Sequence, residues 1–153
     1  SIRGDRAYDA GYELTRGDIY KEFPFPSGVS LQCIQGKYLL EALEQGVSKA
    51  ELNLGAFPHL SKGCRLTFDK LEKPMQRVKR FELNGEPIDP DRIYNICSTN
   101  YMLSGGDGYT ALKHHATIVE HENNNRSISD LVMDYIEKNR IVSSVKEGRI
   151  SVV

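Results

Sequence analysis

The stretch NYMLSGGDGY, Asn100 to Tyr109, sets a single carboxylate, Asp107, among Gly105, Gly106 and Gly108, with tyrosines at positions 101 and 109. Glycines allow positive φ or a close backbone approach, so Asp107 is the only charged group such a turn presents. Turns also favour Gly and Asp for backbone reasons alone, so the loop by itself leaves a structural reading open. It is no phosphate cradle of the Walker type, which needs a Lys-Ser/Thr pair entering a helix, and it lacks the early βαβ setting of a dinucleotide loop.

Other reactive side chains do not assemble into a motif. Hydrolysis at two metals requires Asp, His and Asn ligands that hold the ions about 3.5 to 4 Å apart. The histidines are His59, His114, His115 and His121, and no carboxylate-histidine motif surrounds any of them. No metal site, catalytic residue or cofactor is therefore expected in this chain. Cys33, Cys64 and Cys97 each fall in a predicted strand, where a small buried hydrophobe fits. Their odd number argues against a disulfide framework, and composition alone points to a reducing compartment. Asn125-Arg126-Ser127 is a glycosylation sequon in the polar loop begun by ENNN.

The elements that must position Asp107 are legible in the pattern. RIYNICST alternates and is β-branched, so it predicts a strand that delivers the glycine loop to a sheet edge. Thr15 caps a short helix through about Glu22, which two prolines in the turn FPFP then stop. VSLQCIQ, Val29 to Gln35, alternates with period two. GKYLLEALEQGVSKA then places Leu39, Leu40, Leu43 and Val47 at helical spacing. CRLTF (Cys64 to Phe68) and RVKRFEL (Arg77 to Leu83) predict two strands, and Asn84-Gly85 marks a tight turn before EPI. ATIVEHE predicts another strand. Ser127 or Ser129 caps SDLVMDYIEKNR, whose Leu131, Val132, Tyr135 and Ile136 form an apolar face, and EGRISVV closes as a strand. Helices and strands mix without regular alternation, repeat or linker, which predicts one α+β domain over residues 1–153, a mixed β-sheet with packed helices.

At 153 residues, with 39% hydrophobic and 27% charged residues and a net charge of -1, the chain has the composition of an ordinary globular domain. No run of like charge predicts a nucleic-acid partner, and no apolar stretch reaches the eighteen or so residues that cross a bilayer. The opening SIRGDRAYDA lacks a signal-peptide core, and a start on Ser1 rather than methionine suggests processing or excision.

Taken together, SIRGD, LTRGDIYKEFPF, GKYLLEALEQGVS, GEPIDPDRIYNICSTNYMLSGGDGY and EGRISV follow one order. The chain resembles, over essentially its whole length, the C-terminal substrate-binding domain of 5′-nucleotidases and the related UDP-sugar hydrolases and 2′,3′-cyclic phosphodiesterases. The resemblance implies that the SIR arginine meets substrate phosphate, that two aromatic side chains sandwich the base, and that the GGDG aspartate accepts the ribose hydroxyls. Residue by residue, these roles fall on Arg3, on Phe25 with Tyr101, and on Asp107, with Gly105, Gly106 and Gly108 supporting the loop. The types fit: stacking contributes roughly 1 to 3 kcal/mol per base with little base preference, and an arginine fork matches phosphate oxygens. Core packing for the two aromatics and plain exposure for Arg3 are the alternatives that residue type alone allows.

The resemblance further implies that a separate N-terminal metallophosphoesterase domain carries two divalent metals and cleaves the ester. This chain is expected to bind the nucleotide or nucleoside and to be inert alone. It also implies an extracytoplasmic location: periplasmic, secreted or cell-surface. The family's asparagine and glycine before SIR, and further upstream arginines, precede the residues present here. Pro26 stands where many relatives carry glycine, which favours an extended Phe25. Alternatives of other classes are a stand-alone nucleoside or nucleotide binding module and a degenerate interaction domain.

Overall fold

The computed structural model describes residues 3–4, 6–52, 55–117, 126–143 and 145–153. Helix α1 spans Arg16–Glu22 and begins at a capping box. Thr15 Oγ1 accepts the Asp18 N–H at 3.2 Å, and Asp18 Oδ2 accepts the Thr15 N–H at 3.0 Å, so two otherwise unpaired donors of the helix start are satisfied. The helix ends at Phe23, beside the first proline, as predicted.

The strands divide into two sheets. β1 (Val29–Gln35) is the centre of an antiparallel three-stranded sheet, flanked by β5 (Ile93–Thr99) and β6 (Ala116–Thr117). β1 and β5 pair along their whole length, Val29 with Thr99 through Gln35 with Ile93. The second sheet runs β4-β3-β2-β7, from β2 (Cys64–Phe68), β3 (Val78–Leu83), β4 (Glu86–Pro87) and β7 (Ile150–Val152). β7 lies parallel to β2, and the other pairs are antiparallel. At Asn84 and Gly85 φ is 54° and 87°, the two positive values of the hairpin turn that Asn-Gly predicts. β3 starts one residue later than its pattern suggests. Arg77 is bound instead by the segment 44–51: its N–H meets Glu44, and its guanidinium binds Glu51 and the Val47 carbonyl.

Helix α2 (Gly36–Val47) lies between two cores. Leu43 and Val47 pack with Cys64, Leu66, Phe68 and Phe81 of the four-stranded sheet and with Ile88 just after β4, and Leu39 and Leu40 adjoin them. Ala42 instead joins Ile34, Tyr109, Ala111 and Leu112. The class is α+β with mixed sheets and packed helices, as the sequence predicts.

Three expectations are corrected or limited. Helix α4 (Ile128–Asn139), capped by Ser127, buries Ser129 and Met133 and half-buries Val132 and Ile136 against the rest of the chain, while Leu131 and Tyr135 face outward. Both sets have helical spacing, so the period alone does not say which one turns inward. Cys64 is buried, but Cys33 is half-buried and Cys97 exposed, because β5 turns the Ile93, Asn95 and Cys97 side of its alternation outward. Period two identifies a strand without saying which face is inward. Of the strand predicted in ATIVEHE, Ala116–Thr117 is formed; the remainder, with His121 and Asn125 of the sequon, lies outside the described residues.

Candidate functional site

β5 hands the chain directly to the loop. Thr99 caps the one-turn helix α3 (Asn100–Leu103) by accepting the Met102 N–H at 3.2 Å, and the backbone then turns through positive φ at Gly105 (88°), Asp107 (54°) and Gly108 (89°). Aspartate tolerates that region better than most side chains. Gly106 does a different job. A Cβ there would stand 2.4 Å from the Tyr101 ring, so the missing side chain lets the ring lie against the loop. The Tyr101 hydroxyl donates to Asp107 Oδ1 at 2.9 Å and accepts the Asp107 N–H at 3.2 Å. Aromatic and carboxylate are thus one unit.

Tyr109 anchors the far side. It is 4% exposed, packs on Gly46 of α2 and donates its hydroxyl to the Ala56 carbonyl at 2.6 Å. Burial, with a smaller contribution from the Asp107 charge, pushes its phenol up to about 12, so it stays a neutral donor at physiological pH. Asp107 itself is exposed, and its Oδ2 has no hydrogen-bond partner among the described residues.

The opposite wall is the end of α1. Phe25 and Pro26 follow its last turn, and the Ser27 N–H bonds back to the Phe25 carbonyl at 2.8 Å. Two backbone bonds tie this turn to the rest of the site: Asn100 N–H to the Gly28 carbonyl (2.8 Å) and Ile128 N–H to the Ser27 carbonyl (3.2 Å). Between the walls lies a cavity of about 460 Å³, the size of a small-ligand site, lined by Phe23, Phe25, Pro26, Ser27, Thr99, Tyr101, Asp107 and Ile128.

Three of the four residues singled out in the sequence, Phe25, Tyr101 and Asp107, therefore line one cavity. Phe25 and Tyr101 are 49% and 52% exposed, which excludes the core-packing alternative for both. Arg3 is exposed at the rim, its guanidinium 5.3 Å from the centre of the Phe25 ring, within cation-π range. Sequence reasoning passed over Thr99 and Ile128. The Thr-x-x cap at a strand end could have pointed to the first; nothing local marks the second, which a Gly28-Ser127 bridge brings in. A larger groove of about 1230 Å³ lies beyond Asp107 and Gly108, bounded by α2 and Phe57, but neither Phe25 nor Tyr101 lines it. Among the described residues no group of three or more His, Cys, Asp or Glu could hold a metal ion. No helix among them is long and apolar enough to cross a membrane.

The family profile described as "5'-nucleotidase, C-terminal domain" matches residues 1–114. Over 145 residues, 90% of the chain, the sequence is 29% identical to the 5'-nucleotidase of Mus musculus, of which it covers 24%. It is 35% identical over 103 residues, 64% of the chain and 7% of the relative, to the trifunctional nucleotide phosphoesterase protein YfkN of Bacillus subtilis. The crystal structure of a 5'-nucleotidase precursor from Thermus thermophilus superposes with a TM-score of 0.81 at 32% identity, covering 92% of this chain and 28% of that one. The chain thus spans about a quarter or less of these proteins.

Proposed function

Because the chain belongs to the family of 5'-nucleotidase C-terminal domains, we propose that it is the nucleotide-binding part of a phosphohydrolase whose ester-cleaving chemistry resides in a separate N-terminal domain. The observation that carries this reading is that Asp107, with its Oδ2 unpartnered among the described residues, lines the same cavity as the two half-exposed rings of Phe25 and Tyr101. Phe25 and Tyr101 stack a base, contributing roughly 1 to 3 kcal/mol per base. Asp107 accepts the ribose hydroxyls, with the Tyr101 hydroxyl holding its carboxylate in place. Arg3, at the rim, takes phosphate oxygens with its planar fork.

In this reading the chain binds and orients while divalent metals held by the other domain supply the nucleophilic hydroxide. The relatives' much greater length supports a partner domain, and the precursor form of the Thermus thermophilus 5'-nucleotidase supports an extracytoplasmic protein. Titrating the 153-residue chain with AMP and UMP tests the proposal: both should bind with similar affinity, and with Mn²⁺, Zn²⁺ or Mg²⁺ added neither should release phosphate above a buffer control. Metal-dependent turnover by a preparation free of contaminating phosphatase would contradict the division of labour, and absence of nucleotide binding would contradict the site.

A further inference from the structure

The segment that carries Arg3 has no regular secondary structure of its own among the described residues, and α1 is what holds it. Glu22, the last residue of α1, is 9% exposed. Its Oε2 accepts the Gly4 N–H at 2.8 Å, its Oε1 accepts the Tyr8 hydroxyl at 3.1 Å, and its backbone carbonyl accepts the Arg3 N–H at 2.9 Å. One turn earlier Asp18 binds Arg6 at 2.9 Å and the Tyr12 hydroxyl at 3.2 Å. The helix thus grips the strap along one side.

Glu22 is buried, and no cation among the described residues forms a salt bridge with it. Its contacts are neutral donors on the strap. The Gly4 N–H that it fixes belongs to a residue at φ +66°, the point where the chain turns immediately after Arg3. Phe25 follows Glu22 by three residues, so the same helix end sets the aromatic wall and the arginine that leans on it.

We propose that Glu22 is a positioning residue: by holding the Gly4 N–H it presents the Arg3 guanidinium at the cavity rim for a nucleotide's phosphate. This rests on the reading of Arg3 as a phosphate ligand. Without the Glu22 carboxylate the Arg3 backbone keeps one hydrogen bond, the turn at Gly4 loosens, and phosphate recognition weakens while the base and ribose subsites stay intact.

The test is calorimetric or NMR titration of AMP and adenosine against the 153-residue chain and the variants Glu22→Ala, Glu22→Gln, Arg3→Ala and Arg3→Ala/Glu22→Ala. The parent should prefer AMP to adenosine, and Arg3→Ala should remove that preference. Glu22→Ala should weaken AMP about five- to tenfold and adenosine less than about twofold, less than the loss of a direct charge-assisted contact because Glu22 acts through Arg3. Added to Arg3→Ala, it should cost AMP nothing further, because the two act as one unit. Glu22→Gln keeps an acceptor for Gly4 and should lose about two- to threefold, for AMP alone. An equal loss for AMP and adenosine, or additive losses in the double variant, overturns the proposal in favour of a purely structural Glu22. If Glu22→Ala does not fold, Glu22→Gln decides in its place, an unchanged AMP affinity or an equal loss for both ligands being the contradicting result. An AMP preference that survives Arg3→Ala refutes the phosphate reading itself and the positioning role with it, whereas loss of the preference in Arg3→Ala with none in Glu22→Ala or Glu22→Gln refutes only the positioning role.

Discussion

Asp18 and Asp107 each sit at the start of a turn of helix, yet their carboxylates are in opposite conditions. Asp18 is 5% exposed and accepts from the Thr15 N–H, the Thr15 hydroxyl, the Tyr12 hydroxyl and Arg6. These contacts, those from Thr15 foremost, hold its carboxyl down at about 2. Asp107 is exposed and left-handed, and a single tyrosine hydroxyl meets one of its oxygens. A carboxylate whose lone pairs are already used stabilises its own fold. One held in place with an oxygen left open is available to a ligand.

The largest effect expected from breaking this comparison is on stability. Asp18→Ala should lower the melting temperature more than any other variant named in this Discussion, since it deletes the capping box and strands Arg6 and Tyr12, while nucleoside affinity stays within about twofold. The pH dependence has a defined sign. Because the folded pKa lies below the ordinary 3.8, the Asp18 contribution is complete above about pH 4 and is lost as pH falls through about 2. Asp18→Asn should flatten the acid limb of a melting-temperature profile between those values, and an unchanged limb would assign acid unfolding elsewhere.

On the binding side, Tyr101→Ala removes the proposed stacking face and the support of Asp107 together. Adenosine and uridine should both weaken by about 1 to 3 kcal/mol, roughly five- to a hundredfold in Kd, with little change in melting temperature because the ring is half exposed. A loss confined to one base would mean edge readout rather than stacking. Tyr101→Phe is the finer probe. It keeps the ring and releases Asp107, so the loss should be about two- to fivefold and confined to ligands with ribose hydroxyls.

Boundaries marked by local chemistry were legible in the sequence: the Thr15 cap, the prolines after Glu22, the switch of period at Gly36, the Asn84-Gly85 turn. The ends of β1, β2 and β5 follow from alternation alone. Which face turns inward did not, because a period carries no direction, and Cys97 and Leu131 came out exposed. The loop carboxylate was visible as a type in a glycine setting, whereas the bond from the Tyr101 hydroxyl depends on the ring folding back across Gly106. The cavity as a whole was beyond local reading. Phe25, Tyr101 and Ile128 come from distant parts of the chain and meet through backbone bonds at Ser27 and Gly28.

That Asp107 holds a ribose is the claim on which the account turns, and a double-substitution cycle between protein and ligand tests it most directly. NMR titration can follow the weak binding expected of a single domain, with Kd on the order of 0.1 to 1 mM. Asp107→Asn preserves size and turn preference while removing the charge. It should weaken adenosine by about 1.5 to 3 kcal/mol, roughly ten- to a hundredfold. The 2′,3′-dideoxy nucleoside should bind the parent about as poorly, and Asp107→Asn should then cost it almost nothing more, because missing hydroxyls and missing charge are two ends of one interaction. Independent, additive losses, or an adenosine affinity untouched by Asp107→Asn, would contradict the assignment.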